Sequence, residues 1–177
     1  MDTQTSIDNS TPKVDMELLN KIVQAAINLK DNPEQYGRNG GYLAICDFSE
    51  IPVLVVVPVG KIQEGKKYKY MRNACEKITR ILNFNLTRSF EMRNEEKEQW
   101  GGGVNFKHCA VSFSGFAELI DEAVSVVYGL YYSYQIFGVR VEVIEEKVLT
   151  DISTFQSRYT SDNPFCVPLA QAVFGKK

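Results

Sequence analysis

One histidine and one tryptophan are all that 177 residues contain, and the four cysteines form no C-x-x-C pair. A structural zinc site needs four Cys or His ligands at close spacing. Cys46, Cys75, Cys109 and Cys166 are widely scattered with His108 alone to join them, which argues against such a site. An excess of charge of one sign is also missing: 20 Lys and Arg face 22 Asp and Glu, for a net charge of −2. That balance does not suit nucleic-acid binding. No apolar run reaches the ~18 residues of a membrane span, and the polar opening MDTQTSIDNSTPK carries no apolar signal region. The expectation is a soluble cytoplasmic protein with reduced thiols, three of which sit in apolar periodic segments as small hydrophobes.

What is present suffices for one packed domain, since 44% of the chain is apolar. Residues 1–12 read as a loose polar tail, 13–146 as a single domain and 147–177 as a C-terminal extension. Val14, Leu18, Ile22, Ala25, Ala26 and Leu29 recur at helical spacing, so residues 14–30 form an amphipathic helix. Thr11 or Asp15 caps it, and Asp31-Asn32-Pro33 ends it.

Tyr42 to Asp47 and Ile51 to Val59 read as a hairpin around Phe48-Ser49-Glu50. The second run is almost entirely Val, Leu, Ile and Pro, which predicts a strand buried on both faces, its ladder confined to the middle by Pro52 and Pro58. A second helix spans 69–84, with Ala74, Ile78, Ile81 and Leu82 inward. Its basic residues, Lys66, Lys67, Lys69, Arg72, Lys77 and Arg80, read as a solvated face. Residues 85–99 are polar and form a helical extension or a mobile loop.

The stretch from Trp100 to Gly129 carries the sharpest signal, WGGGVNFKHCAVSFSGFAELIDEAVSVVYG. Gly101, Gly102 and Gly103 admit close approach of a ligand or a second chain segment. Val104 to Phe113 reads as one strand, with Asn105 to Lys107 its only turn signal. Alternation puts Cys109, Val111 and Phe113 on a core face and His108, Ala110, Ser112 and Ser114 on a small, polar one. Such a face accommodates a ligand, a subunit interface or a close-packed neighbour. Ser114-Gly115 then delivers the chain into a helix over 116–134, whose unpaired N–H groups can hold an anionic or carbonyl oxygen. Asp121 and Glu122 in its opening turns are explained first by the helix dipole. Val139, Val141 and Val143 alternate with Arg140 and Glu142 as a further strand, and the apolar residues of 150–177 form a docking tail.

The order helix, hairpin, helix, Gly101-Gly102-Gly103, Ala110-Val111-Ser112-Phe113-Ser114-Gly115, Asp121-Glu122-Ala123 resembles the GlcG/HbpS-like haem-degrading or haem-binding family, whose relatives include the C-terminal domain of the PduO proteins. The resemblance covers roughly residues 14–135. It implies a profilin-like α/β (α+β) domain, an antiparallel sheet flanked by helices, assembled into homo-oligomers. It also implies haem as a ligand. The first helix has no histidine, so axial ligation would fall to His108, Tyr42, Tyr68, Tyr70 or Met71.

A serine hydrolase is disfavoured, because Val-Ser-Phe-Ser-Gly-Phe lacks the first glycine of G-x-S-x-G and His108 shares the short strand. Two readings stay open. One is a module that binds or senses a small molecule, haem or another planar anion, through Gly101, Gly102, Gly103, His108, Ser112, Ser114, Gly115 and Asp121. The other is an oligomeric interaction protein that uses the same scaffold and has no enzymatic activity.

Overall fold

A computed structural model describes residues 13–29, 37–48, 52–154 and 162–175. The first helix, α1 (Met16–Ile27), is capped by Asp15, whose Oδ1 accepts the Leu18 N–H at 2.9 Å. The N-terminal tail, the Asp31-Asn32-Pro33 stop and two of the three hairpin-loop residues, Ser49 and Glu50, lie outside the described residues. Strands β1 (Asn39–Asp47) and β2 (Val53–Lys61) form the expected hairpin, and α2 (Lys67–Phe84) follows. Then come β3 (Gly103–Asn105), β4 (Cys109–Ser114), α3 (Glu118–Ile136), α4 (Val141–Thr154) and α5 (Cys166–Phe174). The four strands make one antiparallel sheet in the order β2-β1-β4-β3, with helices on both faces.

Alternation along the two central strands divides the protein into its two cores. Leu43, Ile45, Cys109, Val111 and Phe113 pack against α1 and α3, and α4 and α5 complete that side. Ala44, Cys46 and Ala110 face Ala74, Ile78 and Ile81 of α2. The small side chains let α2 lie close to the sheet, near enough for the Ser112 hydroxyl to donate to the Ala74 carbonyl at 2.6 Å. A close-packed neighbour, here a helix, is thus what the small face of β4 holds.

Four expectations are corrected. Val104 to Phe113 is a hairpin, not one strand: Lys107 takes a left-handed φ of 69°, Asn105 Oδ1 accepts its N–H, and Phe106 N–H bonds the Cys109 carbonyl. The strand expected over Val139, Val141 and Val143 is the start of α4. Its period-two pattern is short, and Ile144, Val148 and Ile152, four apart, supply the buried helical stripe that prevails. That same helix runs on to Thr154, and α5 shares the larger core, Phe174 stacking on Tyr131 at 6.3 Å. Residues 85–99 do not extend α2, which ends at Phe84 with Asn85 left-handed; they make two short 3-10 turns, Ser89–Met92 and Glu95–Lys97.

The fourth correction concerns β2, which is an edge strand and only half-buried. Its ladder to β1 runs from Val53 to Lys61 despite Pro58. The reason is phase. The Phe48 N–H bond to the His108 carbonyl sets which β1 residues bond β4, and antiparallel pairing alternates, so Leu43, Ile45 and Asp47 bond β2. Their partners are Val57, Val55 and Val53, leaving the backbone of Leu54, Val56 and Pro58 pointed away from the sheet. Pro58 lacks its donor where no ladder bond is needed, and it blunts an apolar edge against strand addition. Replacing Pro58 by valine is expected to leave stability within about 0.5 kcal/mol while raising self-association. Light scattering across a concentration series checks this, and a variant no more associated than the native chain overturns the guarding role.

Candidate functional site: a cleft beside the Ser-Gly turn

Where β4 ends and α3 begins, the chain passes beneath α2 and leaves a cleft of about 610 Å³. This is within the ~300–1,000 Å³ usual for small-molecule sites. Its floor is a buried ion pair. Lys77, only 1% exposed, donates from Nζ to Asp121 Oδ2 at 3.0 Å and to the Phe113 carbonyl at 2.6 Å. Asp121 Oδ1 accepts the N–H groups of Gly115 and Phe116 at 3.1 and 2.8 Å. Burial pushes the Asp121 carboxyl up to about 6, against the opposing pull of Lys77 and the Phe116 N–H.

This arrangement answers the expectation of free amide donors before α3. Those of Gly115 and Phe116 are already bonded to the protein's own carboxylate. The Gly101 N–H is likewise taken by Glu118 Oε1, and Glu118 Oε2 binds Arg93 Nε at 3.0 Å. The three glycines are explained by packing. Gly102, with φ 103°, runs between Asp121 and Lys77, its carbonyl accepting from Phe113 N–H and from the Ser125 hydroxyl. Gly103 N–H bonds Ser89 Oγ at 2.9 Å.

The sequence-predicted residues therefore separate. Ser114, Gly115 and Asp121 line the cleft; Gly101, Gly102 and Gly103 are buried next to it, and Ser112 is spent on the Ala74 carbonyl. His108 is exposed at the other end of β4, roughly 20 Å off at ~3.3 Å per residue, with its ring edge-on to Phe137 at 4.6 Å. It lines a separate shallow groove with Asp47, Phe48 and Ile136.

The reading of α2's basic residues as solvated fails at Lys77 and Arg80, which are 1% and 3% exposed, whereas Leu82, expected inward, is 43% exposed. Lys77 and Arg80 lie three residues beyond Ala74 and Lys77 respectively, on the stripe with Ile78 and Ile81, and that spacing was the available signal. Arg80 bonds the carbonyls of Met92 and Trp100, fixing the polar segment. Arg88 closes a second buried pair, to Glu122 at 2.7 and 3.1 Å, and reaches Asp162 at 2.7 Å, while Asn163 bonds Glu122 and the Leu119 carbonyl. Burial pushes the Glu122 carboxyl up, and Arg88 opposes it. The two carboxylates read as helix-dipole partners are thus anchors of buried pairs. Burial also raises all four thiols, Cys109 to about 12, which leaves them protonated and poor nucleophiles.

Tyr70 of α2, a suggested axial ligand, is on the wall, and residues that sequence reasoning did not place in a site complete it: Arg38 ahead of β1, Asn73 on α2, and Arg93 and Trp100 from the polar segment. The Arg93 guanidinium lies 5.6 Å from the Trp100 ring centroid. Asn73 and Ser114 are 8% and 4% exposed, and neither side chain has a hydrogen-bond partner among the described residues. Haem, implied by the resemblance, fits this donor set poorly. Of its suggested axial ligands only Tyr70 is on the wall, and the walls carry charged pairs where a porphyrin face needs apolar ones.

The fold and cleft define an α+β protein built on one antiparallel sheet. No family model, curated protein or solved structure matches the chain.

Proposed function

We propose that the chain is a small-molecule binding module and that the cleft between α2 and the Ser114-Gly115 turn is where the ligand sits. One observation carries this. Asn73 and Ser114 are more than nine-tenths buried, yet their side chains find no partner among the described residues and both line the cleft. Their polar atoms are not sealed off, Arg80 Nε being the one fully enclosed side-chain atom without a hydrogen bond among the described residues, so they open onto the cleft and can bond what enters it. A hydroxyl and a carboxamide lining one cleft suit a ligand with its own donors and acceptors. The rigid support is already built: Lys77 and Asp121 brace the floor, and Arg80 and Arg93 hold Trp100 at the rim.

Thermal unfolding in the presence of small polar metabolites tests the reading. At least one class, among carboxylates, amides and nucleobases, is expected to raise the midpoint of the native chain. Asn73→Ala and Ser114→Ala are each expected to lose most of that rise while remaining folded. Shifts that persist in both variants would place the ligand elsewhere and overturn the assignment.

A further inference from the structure

The cations of the cleft differ in whether the protein has already neutralised them. Lys77 is paired with Asp121, Lys69 with Glu98 at 2.6 Å, and Arg93 with Glu118 and Glu95. Arg38 makes no ion pair or hydrogen bond among the described residues. It is half-buried, and the start of β1 holds it at the Ser114 end of the sheet, where Tyr42 pairs with Ser114. A half-buried guanidinium with five donors, none of them bonded among the described residues and its charge reaching Asp121 only at longer range, is matched by a carboxylate, which it binds through two parallel bonds. Asn73 and Ser114 of the same cleft can add hydrogen bonds, and the rings of Tyr70 and Trp100, which also line it, supply flat apolar surface.

We infer that the ligand is a small aromatic monocarboxylate, its carboxylate on Arg38 and its ring against Tyr70 and Trp100. The inference rests on the proposed binding function and names the ligand's chemical class. A single negative charge is favoured because one cation of the cleft is left unpaired among the described residues. A dianion would have to break an existing pair. The internal carboxylates of Glu118 and Asp121 also exclude excess negative charge by repulsion.

Trp100, the only tryptophan in the chain, makes the test direct. The emission of the purified full chain is titrated with benzoate, benzamide and acetate. Benzoate is expected to saturate the signal, with benzamide and acetate each at least tenfold weaker. Arg38→Gln is expected to weaken benzoate at least tenfold and to leave benzamide unchanged, whereas Arg38→Lys, which keeps the charge without the fork, recovers only part of the affinity. Equal binding of benzoate and benzamide, or an Arg38→Gln variant that binds benzoate like the native chain, overturns the carboxylate assignment while leaving a binding cleft. If neither aromatic probe changes Trp100 emission and none of the three moves the unfolding midpoint, this ligand class is overturned, and the broader metabolite screen above decides the binding function separately.

Discussion

Replacing Lys77 with methionine is expected to destabilise the fold by about 3–5 kcal/mol at neutral pH, the largest effect anticipated on α2. Methionine fills much of the volume, so the loss is electrostatic. Asp121, buried on the floor of the cleft, would keep its two backbone donors but lose its counter-ion, and the Phe113 carbonyl would lose its Nζ donor. Because Lys77 is the strongest influence holding the Asp121 carboxyl down, its removal drives that carboxyl further above about 6. The sign of the pH dependence follows. In the native chain the folded state holds the Asp121 proton up to about pH 6, whereas the unfolded chain releases it near the ordinary 3.8. The fold binds more protons in that window, so this group's contribution falls as pH rises from about 4 to about 6 and is level above it. In Lys77→Met the fall continues to higher pH, so the deficit against the native chain is smallest near pH 5 and grows toward pH 8. Urea unfolding at the two pH values measures it. The double variant Lys77→Met with Asp121→Asn removes both charges and keeps the Oδ1 acceptor, so it is expected to recover most of the loss. A deficit independent of pH would show that lost packing, not the unpaired carboxylate, is responsible.

That pair also marks where the sequence stops being informative. Helix periodicity located α1 and α2 because each buries a stripe that repeats within the element itself, and alternation assigned both faces of β4 for the same reason, whereas α3, found by its length and apolar content, is buried without a break from Ile120 to Gly129. Lys77 and Asp121 are 44 residues apart, and no local pattern joins them. A lysine among five other basic residues reads as solvated unless its partner is known. Arg38 and Asn73 gave no signal at all, since a single polar residue becomes a wall only when the sheet brings the start of β1 to the end of β4. The edge position of β2 was hidden differently. An apolar run states how greasy a strand is but not how many neighbours it has, and only the phase of the β1 ladder reveals why Pro58 is tolerated.

The triple glycine, which first suggested a niche, leads to the second large effect: Gly102→Ala is expected to cost about 3 kcal/mol or more, from backbone strain added to overpacking. At φ 103° an L side chain is strained wherever it points. Here the added Cβ would also lie 2.6 Å from the Asp121 Cβ and 2.8 Å from Lys77 Nζ, so the substitution pries at the buried pair itself. Gly103 is less constrained: its φ is ordinary, and its Cβ would meet side chains of Ile81, Lys77 and Ser112 at 3.1 to 3.2 Å. Gly103→Ala should therefore cost less, roughly 1–3 kcal/mol. Gly65, with nothing within 4 Å, serves as the control and should change by about 1 kcal/mol at most. The order Gly102, Gly103, Gly65 in chemical denaturation is the result that packing requires. If the glycines were instead kept for a ligand's close approach, Gly102→Ala would fold with near-native stability and lose only binding. The position of Lys77 Nζ and Asp121 Cβ argues that the chain passes there because the pair leaves it no wider path.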